Sequence, residues 1–250
     1  MADIINEFTL KLANYLLTSN GEITTLSISG FITYLMLSLV NIGLRGSAKY
    51  QLSEFLDCNF SFIEISRTRN LIEYECLDSF RMEEFLKIGS GKSAIFHSKP
   101  PLQTFEQMAL EAYEVELQAI DAKNEVLQYL AVNEWGKTLK DVPFFDILFE
   151  PQKTELSLLI VSENFVRFQW RLPFNEKSTT KGTFTDMYLQ NYEVEMMRMV
   201  EYLRYYNDPE LKALIVFVPL KEEHITGAVV LPYDGENIYD LLQTMNVKMI

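Results

Sequence analysis

Residues 154–184 limit the fold of this chain more than any other part of the sequence. Residues 156–161 read LSLLIV, an aliphatic run interrupted by one serine. A membrane-spanning helix needs about 20 apolar residues, whereas a short aliphatic run is typical of a strand buried on both faces. Aromatic residues follow as far as Trp170, and Pro173 then indicates a turn. The segment therefore predicts a long sheet strand that leads into a polar turn.

The composition of the chain narrows its possible partners. The 250 residues are 48% hydrophobic, which is enough for one large core or for two small domains. Acidic residues outnumber basic ones by 35 to 22, and the formal net charge is −13. Such a charge repels phosphate backbones and anionic lipids, so we expect neither nucleic acid nor a membrane as a partner. No apolar stretch in the sequence is long enough to predict a transmembrane helix.

The start of the chain and its cysteines predict a cytoplasmic location. The first residues, MADIINEF, lack the basic stretch and the long apolar run of a signal peptide. The two cysteines, Cys58 and Cys76, are too few for a disulfide framework and favour free thiols in a reducing compartment. Export by another route stays open, as does the alternative that this sequence is a fragment.

Apolar periodicity predicts several helices in the first third of the chain. Helical stripes cover residues 4–17 and 48–56, and residues 30–40 are apolar nearly all round, which is typical of a buried helix. A further helix is predicted over residues 67–85. The Gly-Ser-Gly sequence at residues 89–91 lacks the other residues of a phosphate-binding loop, so we interpret it as a simple turn.

Two more helices are predicted in the middle of the chain. Thr104 is a candidate N-cap because Gln107 follows three residues later, at capping-box spacing. Residues 125–149 form an amphipathic helical region that Pro143 should end or kink.

Strand patterns occur between and after these helices. They cover residues 93–97, 115–120, 211–220 and 225–231, and a last helix is predicted to start near Asn237.

The residues that follow the organising strand resemble a known family. Trp170, Phe174, Thr179 and Phe184 are spaced by four, five and five positions. This spacing resembles that of the serpin family, in which the same residue types end the long strand beside the opening of the large central sheet. The alternative interpretation, which needs no family relationship, is an ordinary sheet strand followed by a polar turn.

Other matches to serpins occur in the same order along the chain. Residues 132–135, VNEW, are similar to the Ile-Asn-x-Trp start of the serpin helix that packs across the front of the sheet. Departures occur at Ala48, where serpins have Thr, and at Ser93, where they have Asn. The remaining matches are Met36, Leu37, Gly43, Gly46, Gln51, Leu52, Ala94, Ile95, Phe96, Phe105, Tyr113, Asp121, Met196, Met197, Val218, Pro219, Leu220, Val230, Leu231 and Pro232.

The resemblance implies an α+β serpin-like fold. In it, a helical N-terminal part packs on a large mixed or antiparallel sheet, and residues 1–250 form a single domain that is truncated before the C-terminal strands and the reactive loop. It also implies that Trp170, Phe174 and Thr179 lie at the opening of the large sheet. Serpins trap a protease when their cleaved reactive loop inserts into that sheet, so a chain without the loop is expected not to inhibit by this mechanism.

These expectations lead to three hypotheses about function. The first is a non-inhibitory protein-binding regulator, viral or cytosolic, because the reactive loop is missing. Residues from about 156 to 166 would then form an exposed sheet edge, so we expect the chain to dimerise, to bind a partner protein or to repack. The second is a serine or cysteine protease inhibitor of which this chain is the N-terminal part. The third is an enzyme on an unrelated α+β fold.

The sequence favours no catalytic, metal or cofactor site. His97 and His224 are the only histidines, and neither Ser98 nor Ser162 has the flanking glycines of a nucleophile elbow. The cysteines do not have zinc-site spacing with either histidine. We therefore expect no cofactor, no metal and no enzymatic activity, and we interpret the glutamate-rich residues 111–116 and 193–201 as solvated faces.

Overall fold

The chain divides into two compact units. The computed structural model describes residues 2–19, 26–57, 89–138, 146–151, 156–186 and 188–245. The first unit contains residues 1–9 and 27–167, and the second contains residues 10–26 and 168–250. The single-domain organisation expected from the sequence stays a prediction. The predicted helix over residues 67–85, Pro143, Cys58 and Cys76 lie outside the described residues.

Three helices open the chain as the sequence predicted. Helix α1 (Ala2–Ser19) contains residues of both units, and α2 (Gly30–Gly43) and α3 (Ser47–Phe55) belong to the first. The side chain of Ser29 caps α2 by accepting a hydrogen bond from the Ile32 amide at 3.3 Å. Most residues of α2 are buried, which confirms the prediction from its uniform apolar character.

An aromatic cluster joins these helices within the first unit. The Phe8 ring meets the rings of Tyr34 and Phe55 edge-on, at centroid distances of 5.8 and 5.6 Å. The Tyr34 hydroxyl is buried and donates to the Leu56 carbonyl at 2.7 Å. Burial raises the pKa of Tyr34 to about 12, so this hydroxyl stays a donor across the physiological range.

A mixed three-stranded sheet forms the rest of the first unit. Its strands are β1 (Gly89–His97), β2 (Val115–Ala119) and β3 (Leu158–Val166), in the order β2-β1-β3. β1 pairs in parallel with β2 and antiparallel with β3. Helices α4 (Gln103–Glu111) and α5 (Glu125–Gly136) lie between these strands in the sequence. On one sheet face, Ala94, Phe96 and Val161 pack with Val132 and Trp135 of α5.

The predicted turn at residues 89–91 is wrong. All three residues belong to β1, and Gly89, Ser90 and Gly91 lie opposite Val166, Phe165 and Asn164 of β3. Neither glycine has a positive φ. The Cβ of a larger residue at Gly89 would clash with the Phe165 carbonyl oxygen, so the glycine is needed for close strand approach.

The predicted cap of α4 is also wrong. The helix starts at Gln103, so Thr104 is its second residue, and Leu102 is the N-cap without a side-chain hydrogen bond. The Leu102 carbonyl accepts from the Phe105 and Glu106 amides at 2.9 and 3.0 Å. Pro100 and Pro101 fix extended backbone before that point, and the helix begins as soon as they end.

Helix α5 is shorter than the helical region predicted over residues 125–149, because it ends at Gly136. Beyond the helix end, the amide side chain of Asn133 holds the returning chain. Its Oδ1 accepts from the Ile147 and Leu148 amides at 2.9 and 2.8 Å, and its Nδ2 donates to the Leu148 carbonyl at 2.9 Å. A Cβ at Gly136 would lie 2.7 Å from Ile147 Cδ1, so the chain folds back closely over the end of the helix.

The second unit contains a hairpin, a three-stranded antiparallel sheet and a short helix. The hairpin pairs β4 (Thr180–Thr185) with β5 (Asn191–Met196). The sheet has the order β6-β7-β8, from β6 (Arg204–Asp208), β7 (Ala213–Pro219) and β8 (Thr226–Pro232). Helix α6 (Ile238–Thr244) packs through Leu241 on Leu211, Ala213 and Ile215. The predicted strands and the helix start at Asn237 are therefore confirmed, since the Asn237 side chain caps α6.

Candidate functional site: the β3 edge and the Trp170 segment

Strand β3 is at the edge of the sheet in the part of the chain that the structure describes. Only β1 pairs with it there, so its other side is open. The prediction that this strand is buried on both faces is wrong, since Val161 is its single buried residue. Leu158 and Val166, at its two ends, are 54% and 39% exposed. The aliphatic run that suggested burial therefore supplies an open edge.

A polar cluster lies on the α5 face beside β3. The Lys92 ammonium is 2.7 Å from Glu116 Oε1, and the Trp135 indole donates to Glu116 Oε2 at 2.9 Å. Glu163 lies opposite Lys92 in the β1–β3 register, but its buried Oε2 has no hydrogen-bond partner among the described residues. Burial accordingly raises the pKa of Glu163 above its ordinary value of 4.5.

This shifted carboxyl makes stability depend on pH. At a pH below the pKa that Glu163 has in the unfolded state, the carboxyl is protonated in both the folded and the unfolded state and does not change the free energy of unfolding. At higher pH the folded state must hold a poorly solvated negative charge, which lowers that free energy. We expect Glu163→Gln to raise the melting temperature at pH 7.5 by about 1–2 °C, since partial exposure screens the charge, and to change nothing at pH 4. Calorimetry at both pH values measures the difference. Glu223→Gln, at an exposed turn, is the control, and a gain of equal size at pH 4 would contradict the assignment.

The Trp170 segment is held to the end of β7 in the second unit. Trp170 forms an isolated antiparallel bridge with Leu220. The Arg171 amide donates to the Pro219 carbonyl at 3.1 Å, and the Lys221 amide donates to the Gln169 carbonyl at 2.8 Å. The backbone of this segment therefore occupies a fixed position on the three-stranded sheet.

The structure brings two of the three predicted site residues together. The rings of Trp170 and Phe174 meet edge-on, with centroids 6.1 Å apart and planes at 79°. Thr179 belongs instead to the start of the β4–β5 hairpin, where its amide closes the turn of residues 176–178 by donating to the Glu176 carbonyl at 3.1 Å. A role for these residues in opening a sheet stays a prediction.

The serines and histidines occupy structural positions. The Ser162 hydroxyl lies 2.9 Å from the Ser93 hydroxyl across the β1–β3 pair. His97 ends β1 in the first unit, and His224 lies in the β7–β8 turn of the second. The described part of the chain contains no group of His, Cys, Asp and Glu able to hold a metal ion. Among those same residues, no helix is both long and apolar enough to cross a membrane.

The sequence pattern did not single out Arg171 or Arg204, and it marked Asn133 only as part of the VNEW match, without a structural role. Asn133 holds the chain that leads into β3, and the two arginines line one groove of the second unit. The sequence does contain a signal for the arginines. Arg171 directly follows Trp170, and Arg204 follows Tyr202 by two positions, in a chain that is acidic as a whole. Their convergence depends on the pairing of strands and could not be read locally.

Comparison with known proteins decides the family. A family model described as "Serpin (serine protease inhibitor)" matches residues 3–250. The chain belongs to the serpin family. The resemblance drawn from Trp170 and Phe174 and from the order of the other motifs is therefore confirmed.

Two relatives show how much of a serpin this chain covers. Iripin-2 of Ixodes ricinus is 23% identical over 247 residues, which are 97% of this chain and 61% of that protein. Serpin B5 of Mus musculus is 24% identical over 209 residues, which are 80% of this chain and 53% of that protein. The chain thus spans less than two thirds of the length of these serpins.

Solved structures confirm the α+β serpin fold. Mouse protein-Z dependent protease inhibitor matches with a TM-score of 0.81 at 18% identity, over 99% of this chain and 66% of that one. Human thyroxine-binding globulin, solved with thyroxine, matches with the same TM-score of 0.81 at 17% identity, also over 99% and 66%. The fold thus accommodates proteins named as protease inhibitors and as small-molecule binders.

Proposed function

We propose that this serpin is a non-inhibitory protein-binding regulator and that its partner adds a strand to the open edge of β3. The observation that carries the proposal is the unpaired side of a nine-residue strand in the described sheet. About half of its backbone N–H and C=O groups face away from β1, and an added strand would pair with them. The similarity to thyroxine-binding globulin supports a binding role for the fold.

The sequence of β3 suits edge pairing. Residues 158–166, LLIVSENFV, contain no proline and no basic residue, two of the features that blunt an edge, and their one charged residue is Glu163 on the α5 face. Leu158 and Val166 expose apolar side chains at both ends. Such an edge is open to β-strand addition. The cytoplasmic location expected from the two cysteines forms part of this proposal.

We propose a second copy of the chain as this partner. Antiparallel self-pairing centred on Ser162 places Leu158 opposite Val166, and Glu163 opposite Val161, of the other copy. No like charges then face each other, and apolar residues meet at both ends. A twofold pair of this kind joins two three-stranded sheets into one of six strands.

Light scattering after size-exclusion chromatography tests whether the β3 edge pairs with that of a second copy. We expect a dimer at micromolar concentration, and we expect Leu158→Lys/Val166→Lys to raise the dissociation constant about tenfold or more, because lysines would then face lysines. Leu110→Lys/Val126→Lys, at helix positions that are 48% and 56% exposed, is the matched control and should leave the dimer intact. A well-packed wild-type monomer that binds no hydrophobic dye would refute the edge proposal.

The second function that an observation favours is protease inhibition by a longer protein of which this chain is the N-terminal part. The coverage of 61% of Iripin-2 and the similarity to protein-Z dependent protease inhibitor support it. Incubation of the protein as it occurs in its native cell with serine and cysteine proteases separates the two functions. We expect no SDS-stable complex, and such a complex would favour inhibition.

A further inference from the structure

A groove crosses one face of the three-stranded sheet in the second unit. Its volume is about 480 Å³. Its floor consists of residues from all three strands, including Arg204 of β6, Phe217 of β7 and Ala228 of β8. Arg171 and Tyr202 also line it. Since paired strands lie about 4.8 Å apart, the floor spans about 10 Å, the length of three residues of an extended peptide.

Two arginines give this groove its charge. The Arg204 guanidinium stacks over the Phe217 ring, with Cζ 4.2 Å from the centroid, and Arg171 is held through its backbone bond to Pro219. Within the described part of the chain, neither guanidinium forms an ion pair. No carboxylate lines the groove. Glu201 lines an adjoining hollow, and it accepts from the Tyr202 amide at 3.0 Å.

The positive charge of this groove contrasts with the acidic character of the chain as a whole. A chain of net charge −13 contains 22 basic residues, and two of them converge on one groove without a counter-ion. Guanidinium groups bind carboxylates with two parallel hydrogen bonds, and the adjacent aromatic surface suits an apolar side chain. At about 0.1 M salt, charges beyond about 10 Å are screened, so the remote acidic groups contribute little at the groove, and Glu201 of the adjoining hollow is a nearby carboxylate that the two arginines outnumber.

We propose that this groove binds an acidic peptide segment, in which carboxylates pair with Arg171 and Arg204 while an apolar side chain rests on Phe217. A peptide fits better than a small molecule, because small-molecule sites enclose most of their ligand. Here the floor residues Arg204 and Ala228 stay exposed, and the Tyr202 side chain is 102% exposed, so the groove is open along its length. The proposal does not depend on the β3 edge, which belongs to the other unit.

Fluorescence anisotropy with the full chain tests the groove. The probe is a labelled peptide in which one leucine is flanked by two acidic residues on each side, and the matched probe carries the corresponding amides. We expect the acidic peptide to bind with a dissociation constant of about 50–500 µM, and the amide peptide to bind at least about tenfold more weakly.

Substitutions locate the binding. Arg171→Gln and Arg204→Gln should each weaken binding about three- to tenfold, and together more than about tenfold. Arg204→Lys, which keeps the charge but not the planar stack, should lose less, and circular dichroism checks that every variant is folded. Lys177→Gln removes the same charge outside the groove and should bind as the wild type does. So should Leu158→Lys/Val166→Lys, which separates this proposal from the edge proposal.

Four results would overturn the proposal. They are no binding at 1 mM peptide, equal binding of the amide peptide, unchanged binding by the double arginine variant, and full displacement by 1 mM phosphate or free glutamate. The last result would assign the groove to a small oxyanion instead of a peptide.

Discussion

Replacing Asn133 with alanine is expected to lower the free energy of unfolding by about 3–4 kcal/mol, because three backbone groups lose their partners at once. The side chain is 4% exposed. Its oxygen accepts from the Ile147 and Leu148 amides, and its nitrogen donates to the Leu148 carbonyl. Alanine leaves these groups unsatisfied in a partly buried segment and also removes the link between α5 and the chain that enters β3. Urea unfolding followed by circular dichroism measures the loss.

Two variants separate this role from that of an ordinary polar residue. Asn133→Asp keeps the oxygen acceptors but buries a charge and turns an oxygen toward the Leu148 carbonyl, so we expect a loss at least as large as for alanine at pH 7. Asn124→Ala removes the N-cap of α5, which accepts from the Leu127 amide at 3.0 Å, and should cost about 1 kcal/mol. A loss at Asn133 no larger than the loss at Asn124 would show that the three bonds contribute little.

Replacing Phe96 with alanine should cost about 3–5 kcal/mol, the usual range for a buried aromatic residue. Phe96 is fully buried on the α5 face of β1, and its ring meets the Trp135 ring edge-on, with centroids 6.1 Å apart. Alanine leaves a cavity between the strand and the helix that a rigid core cannot close. Phe96→Leu fills most of that volume and should cost about 1–1.5 kcal/mol.

Tryptophan fluorescence gives a local measurement of the same change. The chain has two tryptophans, so a Trp170→Phe background leaves Trp135 as the reporter. We expect Phe96→Ala to shift the Trp135 emission to longer wavelength and to move the unfolding midpoint to lower urea. Phe184→Ala, at a residue that is 53% exposed, is the control and should change stability by less than about 1 kcal/mol. Equal losses at Phe96 and Phe184 would contradict the assigned core.

The sequence predicted the helices well because their signals are local. α1, α2 and α3 follow from apolar spacing within about ten residues of each position, and Asn237 marks the start of α6 by its own side chain. The errors occurred where a distant partner decides. Gly89 is part of a strand because it pairs with Val166, 77 positions away. Residues 147–148, which the pattern assigned to a helix, are instead held in position by the Asn133 side chain.

For the candidate sites, too, features with local sequence signals were predicted, and features that depend on distant residues were not. The order of motifs around Trp170 and Phe174 was sufficient to predict the serpin family and the α+β fold, because each motif consists of residues that are close in the sequence. The exposure of β3 was misjudged in part, because an aliphatic run indicates apolar character but not what packs against each face of the strand.

The amino-acid sequence by itself determined the family, the fold class, the position of most helices and strands, and the acidic net charge. Only the tertiary structure decided which side of β3 is open, which backbone groups Asn133 satisfies, and that Arg171 and Arg204 share a groove. The physical reason is that periodicity reports the burial preference of one element, whereas hydrogen-bond pairing and the convergence of charges arise between elements far apart in the chain.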